Sequence, residues 1–470
     1  MKTERIPPNV GNFVKSLRDI GYTFEIAVAD ILDNSVSANA SHIQIYSVAQ
    51  PELIFCMLDD GFGMTESSLV EAMRLSSKSP DEKRDSKDLG KFGLGLKTAS
   101  FSQCKKLTVL SKKDNNIAIK QWNLDYISEK NDWLLITPDI NDFNATPLFE
   151  EFNNLEHGTL VVWQKIDQLQ KEDFTDNTDK VMRHLSLVFH RFLEDSFDRL
   201  KITFNNNDLK PFNPFNITHS ATQEKPEEVI NIHNSKITIT PFVLPHHSKV
   251  SSQEWERYAT EDGYIKSQGF YLYRAKRLLI YGTWWGMHRA TDAHKLVRIK
   301  IDIPNDQDEF WGIDIKKSHA KPRADIKSRL KAIIGKSTEL GSRPYTGRGK
   351  KIEDKVTTKF WQTIPVGDNF RFGLNKEHPV YQKIKTSLGE NFDLLNIYLK
   401  GLEAYLPLEA IQAHLQQNPH EIKQKSALSE NDVKELVENL KKSGMDDEYI
   451  ESLLKTEIFK NNKGLLNEQL

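Results

Sequence analysis

The chain has 470 residues, with 64 Lys and Arg against 66 Asp and Glu and a net charge of −2, so no global field pulls it onto nucleic acid or anionic lipid, and any such contact must be local. The length predicts two or three domains with separate cores. Only two cysteines occur, Cys56 and Cys104, without metal-ligand spacing, and no run of about 18 apolar residues is present; a disulfide scaffold, a zinc cluster and a membrane span are excluded, and a soluble, cytoplasmic protein is expected.

In chain order, apolar spacing over Ile26, Ala29, Ile31 and Leu32 predicts a helix from Phe13 to Ala38. Strands are predicted over His42 to Val48 and Leu53 to Leu58. A charge-rich stretch from Ser76 to Asp88 has too little apolar content to pack and reads as a loop. A helix beginning at Thr98 follows, then strands over Leu107 to Ser111, Ile117 to Trp122 and Gly158 to Gln164, completing an α/β domain near residue 168. A second α/β domain, 169–340, takes a helix over Asn177 to Leu193, strands Leu200 to Phe204, Gly269 to Tyr273, Arg277 to Tyr281 and Leu296 to Ile303, and a helix over Ile326 to Ile334. Residues 341–356 read as a basic, Gly-rich linker. The remainder to residue 470 is a mainly helical region, with helices expected from Ser429 to Gly444 and from Asp446 to Phe459.

Three short runs carry the chemistry. In Asp30-Ile31-Leu32-Asp33-Asn34-Ser35, positions i and i+4 share a helix face, so Asp30 can take a proton from water while the Asn34 amide oxygen, a hard ligand, suits Mg²⁺. In Asp59-Asp60-Gly61-Phe62-Gly63-Met64, the first carboxylate ends a buried-looking strand and can accept from an amino-bearing base such as adenine. Gly61 and Gly63 let the backbone approach it. In Gly90-Lys91-Phe92-Gly93-Leu94-Gly95-Leu96-Lys97-Thr98, glycines precede a helix start, a cradle for phosphates. Taken singly, the runs also describe a polar helix face, a strand-ending turn and a weak glycine pattern.

In this order and spacing the runs resemble the GHKL ATPase superfamily, within it the MORC and MutL-like branch and its prokaryotic members. The resemblance implies an α/β Bergerat-fold sandwich binding ATP and Mg²⁺, a second, transducer-like domain of ribosomal S5-like fold, and Thr159, of the pair Gly158-Thr159, as a further nucleotide contact. The family mostly has Glu at the base position, where this chain has Asp30; slow turnover is therefore expected. Family second domains send a cation onto the γ-phosphate. Here Lys317, ahead of Lys316, is the candidate, both catalytic in role with Asp30.

The resemblance implies an ATP-dependent homodimer, a clamp on DNA or partner proteins, with anti-phage defence or DNA restriction as the suggested setting. From Trp311 to Phe360 there are 14 Lys and Arg against 5 Asp and Glu, a local basic stretch able to contact DNA. The basic turn Arg274-Ala275-Lys276-Arg277 also offers cations to a nucleic-acid backbone or to a solvated strand edge. The C-terminal helical region is the expected docking site for partner proteins. Competing readings are a chaperone-like ATPase and a non-hydrolysing, nucleotide-gated scaffold. A histidine kinase is disfavoured because the first histidine, His42, lies beyond the first run.

Overall fold

The computed structural model describes residues 3–4, 9–75, 95–232, 235–314, 316–346, 358–366, 369–417 and scattered positions between 435 and 457. Two compact units are present, one of residues 1–245 with 256–341, the other of 246–255 with 342–470. The architecture is mixed α/β.

The first layer of the larger unit opens with α1 (Val10–Arg18) and α2 (Phe24–Ser37). The single helix expected over 13–38 is therefore two. Gly21 interrupts it in the left-handed region, at φ +81°, which an L side chain resists. Strands β1 (His42–Val48) and β2 (Ile54–Asp59) follow, then α3 (Glu66–Met73), α4 (Gly95–Gln103), β3 (Cys104–Lys113), β4 (Asn116–Asn123), α5 (Leu124–Lys130), α6 (Phe149–Asn154), β5 (Gly158–Ile166), α7 (Phe174–Val188), α8 (His190–Leu193), β6 (Lys201–Phe204) and β7 (Asn207–Asp208).

The seven strands form one mixed sheet in the order β4-β3-β5-β2-β1-β6-β7. Its last two strands come from beyond residue 168, with β6 parallel to β1. One face packs on α1, α2, α4 and α7 through Val28, Ile31, Phe55, Phe101, Trp163 and Leu185. The other face carries Cys56, Leu110, Phe152 and Val162. The central strand β2 is covered on both faces, which explains its continuous Phe-Cys-Met-Leu run.

The second sheet takes β8 (Gln223–Glu224), β9 (Glu228–Ile232), β10 (Ser235–Val243), β11 (Gly269–Arg274), β12 (Arg277–Thr283) and β13 (Val297–Ile303). Its order is β12-β11-β13-β10-β8, with β9 also on β10. Short helices α9 (Ser252–Ala259) and α10 (Gly263–Lys266) precede β11, and α11 (Ala324–Thr346) follows β13. Ile326, Leu330, Ile333 and Ile334, a helical stripe on α11, cover one face of the sheet over Ile299 and Ile301. Tyr271, Tyr273 and Phe242 on the opposite face meet Leu187 of α7. That contact joins the second sheet to the first layer.

In the smaller unit, β14 (Trp361–Val366) and β15 (Asn369–Leu374) form an antiparallel hairpin followed by α12 (Pro379–Leu388), α13 (Phe392–Ala404) and α14 (Leu408–Gln417). Most of the helices expected between 429 and 459, and residues 347–356 of the expected linker, lie outside the described residues. Among the described residues no helix is long and apolar enough to cross a membrane.

Candidate functional site

The carboxylate of Asp59 ends the central strand β2 and is buried. Its Oδ2 accepts from the Ser35 hydroxyl at 2.7 Å, and its Oδ1 accepts from the Gly61 amide at 3.0 Å. Burial pushes its pKa up to about 6, against the opposing pull of the Ser35 and Gly61 hydrogen bonds. Two glycines let the chain turn here. A Cβ on Gly63 (φ +61°) would stand 1.9 Å from the Lys112 carbonyl oxygen, and one on Gly61 would stand 2.7 Å from the Ala38 Cβ. Ser111 ties the turn to the strand ends: its Oγ accepts from the Met64 amide at 2.8 Å, donates to the Gly158 carbonyl at 3.1 Å and lies 2.9 Å from the Thr159 Oγ1. Asp59, Met64 and Thr159 are thus held in one backbone network at the end of three paired strands.

One turn back along α2 lies a second cluster. Asp30 is buried on an apolar helix face among Val28, Ala29 and Ile31. Its Oδ2 accepts from the Tyr22 hydroxyl at 2.8 Å. Its Oδ1 accepts from the Lys317 ammonium at 3.1 Å, and the same ammonium donates to Asp33 Oδ2 at 2.5 Å. Asp33 Oδ1 accepts from Arg277 Nε at 2.8 Å. Two carboxylates three residues apart on one buried helix would repel; the arginine that opens β12 and one lysine from the loop after Trp311 neutralise them. Burial nevertheless holds Asp30 above the ordinary carboxylate range, with Lys317 pulling the other way. Beside Arg277, His184 is pushed down to about 3, first by burial and then by the Arg277 charge, so it adds no third cation.

Asn34 is exposed. Its side-chain nitrogen donates to the Asp30 and Ile31 carbonyls at 3.1 and 3.3 Å. Only that end of the amide is a donor, so the oxygen faces away from the helix backbone, an orientation that fits a hard cation. Gly95, the first residue of α4, is so close to the cluster that a Cβ on it would lie 3.9 Å from Asp30 Oδ2. The α4 N-terminus therefore lies beside Asp30, and the positive end of a helix favours anions. Gly90, Lys91, Phe92, Gly93 and Leu94 lie outside the described residues. Leu96 packs on the first core. The Lys97 ammonium is buried and donates to the Ala72 carbonyl at 2.9 Å, and burial pushes it down to about 8. Thr98 hydrogen-bonds to the Tyr22 hydroxyl.

The loop after Trp311 brings in Lys317. The Asp314 carboxylate accepts from Ser318 N, Ser318 Oγ and His319 N at 2.8, 3.1 and 3.0 Å, and Lys317 N donates to the Asp314 carbonyl at 3.1 Å. Lys317 has φ +54°, a conformation that costs a non-glycine residue of order 1 kcal/mol or more. Lys316 instead turns to the Gly21 carbonyl at 3.3 Å. The structure brings Lys317, not Lys316, to Asp30. Of the cations offered by the basic turn, Arg274 and Arg277 are buried, while Lys276 stays half-exposed. Arg274 pairs with Asp308 at 2.8 Å, Lys276 with Asp195 at 2.5 Å and Arg277 with Asp33.

Tyr22 and Ser111 stand at this site outside every run read from the sequence, while Asp33 and Ser35 lay in the first run and Arg277 in the basic turn without a role of their own. An arginine opening the apolar run Arg277-Leu278-Leu279-Ile280 was a signal for a buried partner.

Residues 22–159 match the family described as histidine kinase-, DNA gyrase B- and HSP90-like ATPase. The chain is similar to ATPase MORC2B of Mus musculus, 30% identical over 96 residues, 20% of this chain and 9% of that protein. ATPase MORC2 of Homo sapiens is 32% identical over 95 residues, 19% of this chain and 9% of that protein. MORC family CW-type zinc finger protein 1 of Homo sapiens is 27% identical over 108 residues, 22% of this chain and 11% of that protein. The chain thus spans about a tenth of the relatives it matches.

Proposed function

With residues 22–159 recognised as a GHKL-type ATPase domain and the chain as MORC-like, we propose that it hydrolyses ATP slowly and uses the nucleotide as a switch that closes an N-terminal homodimer on DNA or on a partner protein. The observation that carries this reading is Lys317, a cation from the second sheet's loop bonded to both carboxylates of the nucleotide-side helix. A γ-phosphate entering beside the α4 N-terminus competes with Asp30 and Asp33 for that ammonium. Nucleotide state and the placement of the second sheet then become one equilibrium, shifted by the difference in affinity of ATP for its two arrangements.

Adenine lies against Asp59, which accepts from its amino group, with Met64 and Thr159 at the same end. Asn34 would hold Mg²⁺, which when bound offsets phosphate charge. Asp30 takes the proton of a water whose oxygen bonds to the γ-phosphorus as the bond to the β–γ bridging oxygen breaks. Lys317 stabilises charge on the transferred oxygens.

DNA is the favoured client because α11 keeps Arg329 and Lys331 exposed on either flank of its buried stripe, cations available to phosphates. On the family resemblance alone, partner proteins dock on the C-terminal helical region, and the setting is anti-phage defence or DNA restriction. A non-hydrolysing scaffold is the second reading, favoured by a base with both oxygens already engaged. Light scattering with and without a non-hydrolysable ATP analogue, run beside phosphate release by the parent and Asp30→Asn, tests these readings. The switch predicts a doubled mass with the analogue and loss of turnover in the variant. An unchanged monomer refutes the clamp, and unchanged turnover refutes Asp30 as base.

A further inference from the structure

The linker between α1 and α2 contributes a side chain that the nucleotide chemistry above does not use. We propose that Tyr22 is a positioning residue for Asp30: its hydroxyl pins Oδ2 and leaves Oδ1 as the oxygen that receives the proton from water. This inference rests on the reading of Asp30 as the base.

The geometry is a chain of three side chains. Thr98, in the first turn of α4, hydrogen-bonds to the Tyr22 hydroxyl, which donates to Asp30 Oδ2 at 2.8 Å. The Tyr22 ring is packed in the first core. Its backbone is fixed too: the Tyr22 carbonyl accepts from Gln103 Nε2 at 3.2 Å, and the preceding Gly21 carbonyl accepts from Lys316 at 3.3 Å. Gly21 at φ +81° makes the bend that turns Tyr22 back toward α2.

An aspartate reaches less far than a glutamate, and its carboxylate turns about a single terminal torsion. A donor on one oxygen removes that freedom. It also selects which oxygen is spent on structure and which on chemistry, since a carboxylate accepts at both. In this arrangement Oδ1 accepts its one hydrogen bond from Lys317 at 3.1 Å, the ammonium the γ-phosphate attracts, with the Arg277 guanidinium farther off at 3.9 Å. When that ammonium moves, Oδ1 is freed while Tyr22 keeps the carboxylate from following it. The hydroxyl belongs to the same chain as the α4 terminus, so ordering the phosphate end also orders the base.

The test is a cycle of Tyr22→Phe, Asp30→Glu and the double variant, with steady-state ATP turnover and thermal midpoints measured on the full chain. Tyr22→Phe keeps the ring and removes only the donor. The expected result is a fall in kcat of roughly 10- to 100-fold, the size of effect that misplacing a reacting group produces, with KM for ATP changed less than about twofold and the unfolding midpoint held. Asp30→Glu alone pushes its extra methylene against the Tyr22 hydroxyl and loses activity. Removing that hydroxyl makes room, so the double variant turns over faster than Asp30→Glu. A Tyr22→Phe kcat within about twofold of the parent, or a double variant no faster than Asp30→Glu, overturns the proposal. Should Tyr22→Phe not fold, Asp30→Glu alone decides it: a kcat lowered roughly tenfold or more supports confinement of the carboxylate by the Tyr22 hydroxyl, and a kcat within about twofold of the parent overturns the proposal. Asp30→Asn in the same assay separates the two levels: an inactive Asp30→Asn beside a fully active Tyr22→Phe removes the role of Tyr22 alone, and an active Asp30→Asn removes the base reading with it.

Discussion

In the proposed reading Asp59 sets recognition of adenine against the stability of the nucleotide-free protein, and the size of that conflict follows from its surroundings. Its pKa rises from an ordinary 3.8 to about 6 because the carboxylate is buried at the end of β2. At roughly 1.4 kcal/mol per pH unit, holding it ionised costs the folded state about 3 kcal/mol at neutral pH relative to acid. The folded pKa is the higher one, so the folded chain binds the proton more tightly than the unfolded chain does. Its contribution to stability is fully present below pH 3.8 and is lost as the pH rises through about 6.

Asp59→Asn removes that titration. It also turns an amide toward the donors Ser35 and Gly61, a cost of about 1–3 kcal/mol that does not depend on pH. The absolute stability of the variant is therefore a poor readout, while the pH dependence of the difference is a clean one. Hydrogen-exchange protection of the β2 and β5 amides, measured without nucleotide from about pH 4 to about pH 7, should move in favour of Asp59→Asn by about 2.4 kcal/mol across that window. Parallel curves for parent and variant would falsify the idea that Asp59 is held as a costly buried acceptor.

Arg277→Ala leaves Asp33 buried with Lys317 as its remaining cation and should destabilise the larger unit by about 3–5 kcal/mol in denaturant unfolding; Asp33→Asn with Arg277→Met should recover most of it. Lys317→Ala should lower kcat by roughly 10²- to 10³-fold with a small change in ATP affinity, whereas Lys316→Ala, on the Gly21 carbonyl, should change kcat less than tenfold; equal losses would remove the distinction between the two lysines. Gly63→Ala drives a Cβ into the Lys112 carbonyl and should cost about 2 kcal/mol or more, read as a lowered unfolding midpoint and weakened binding of a fluorescent ATP analogue.

What the sequence made legible is what is local. Asp30 and Asn34 could be placed on one helix because four residues make one turn, and Asp59 could be placed at a strand end because an apolar run stops there. Arg277 and Asp33 are 244 residues apart in the chain, and no periodicity reports a pair of that separation. A warning was nonetheless present, since two acids on an apolar helix need counter-charges. Tyr22 was hidden by the same helical pattern, which ran through Gly21 as though the helix were unbroken. The strand β10 escaped because Pro241 within Ser235–Val243 argues against a ladder position; it pairs with β13 along its length all the same. Its apolar residues bury against the second core, and that burial outweighs one lost donor.

The helix α2 serves both ends of the site from neighbouring turns, offering Ser35 to Asp59 and Asp30 to Lys317. This separates blocking the protein from triggering it. On the proposed reading, a compound that mimics only adenine meets Asp59 and its strand-end network, none of whose hydrogen bonds involves Lys317, so it should displace nucleotide without biasing the arrangement. A compound carrying an anion to the Lys317 end competes for the ammonium and drives the arrangement itself. On the proposed switch, inhibitors of this chain should therefore fall into two chemical classes, neutral ones that leave its two arrangements in their nucleotide-free balance and polyanionic ones that drive the one ATP favours.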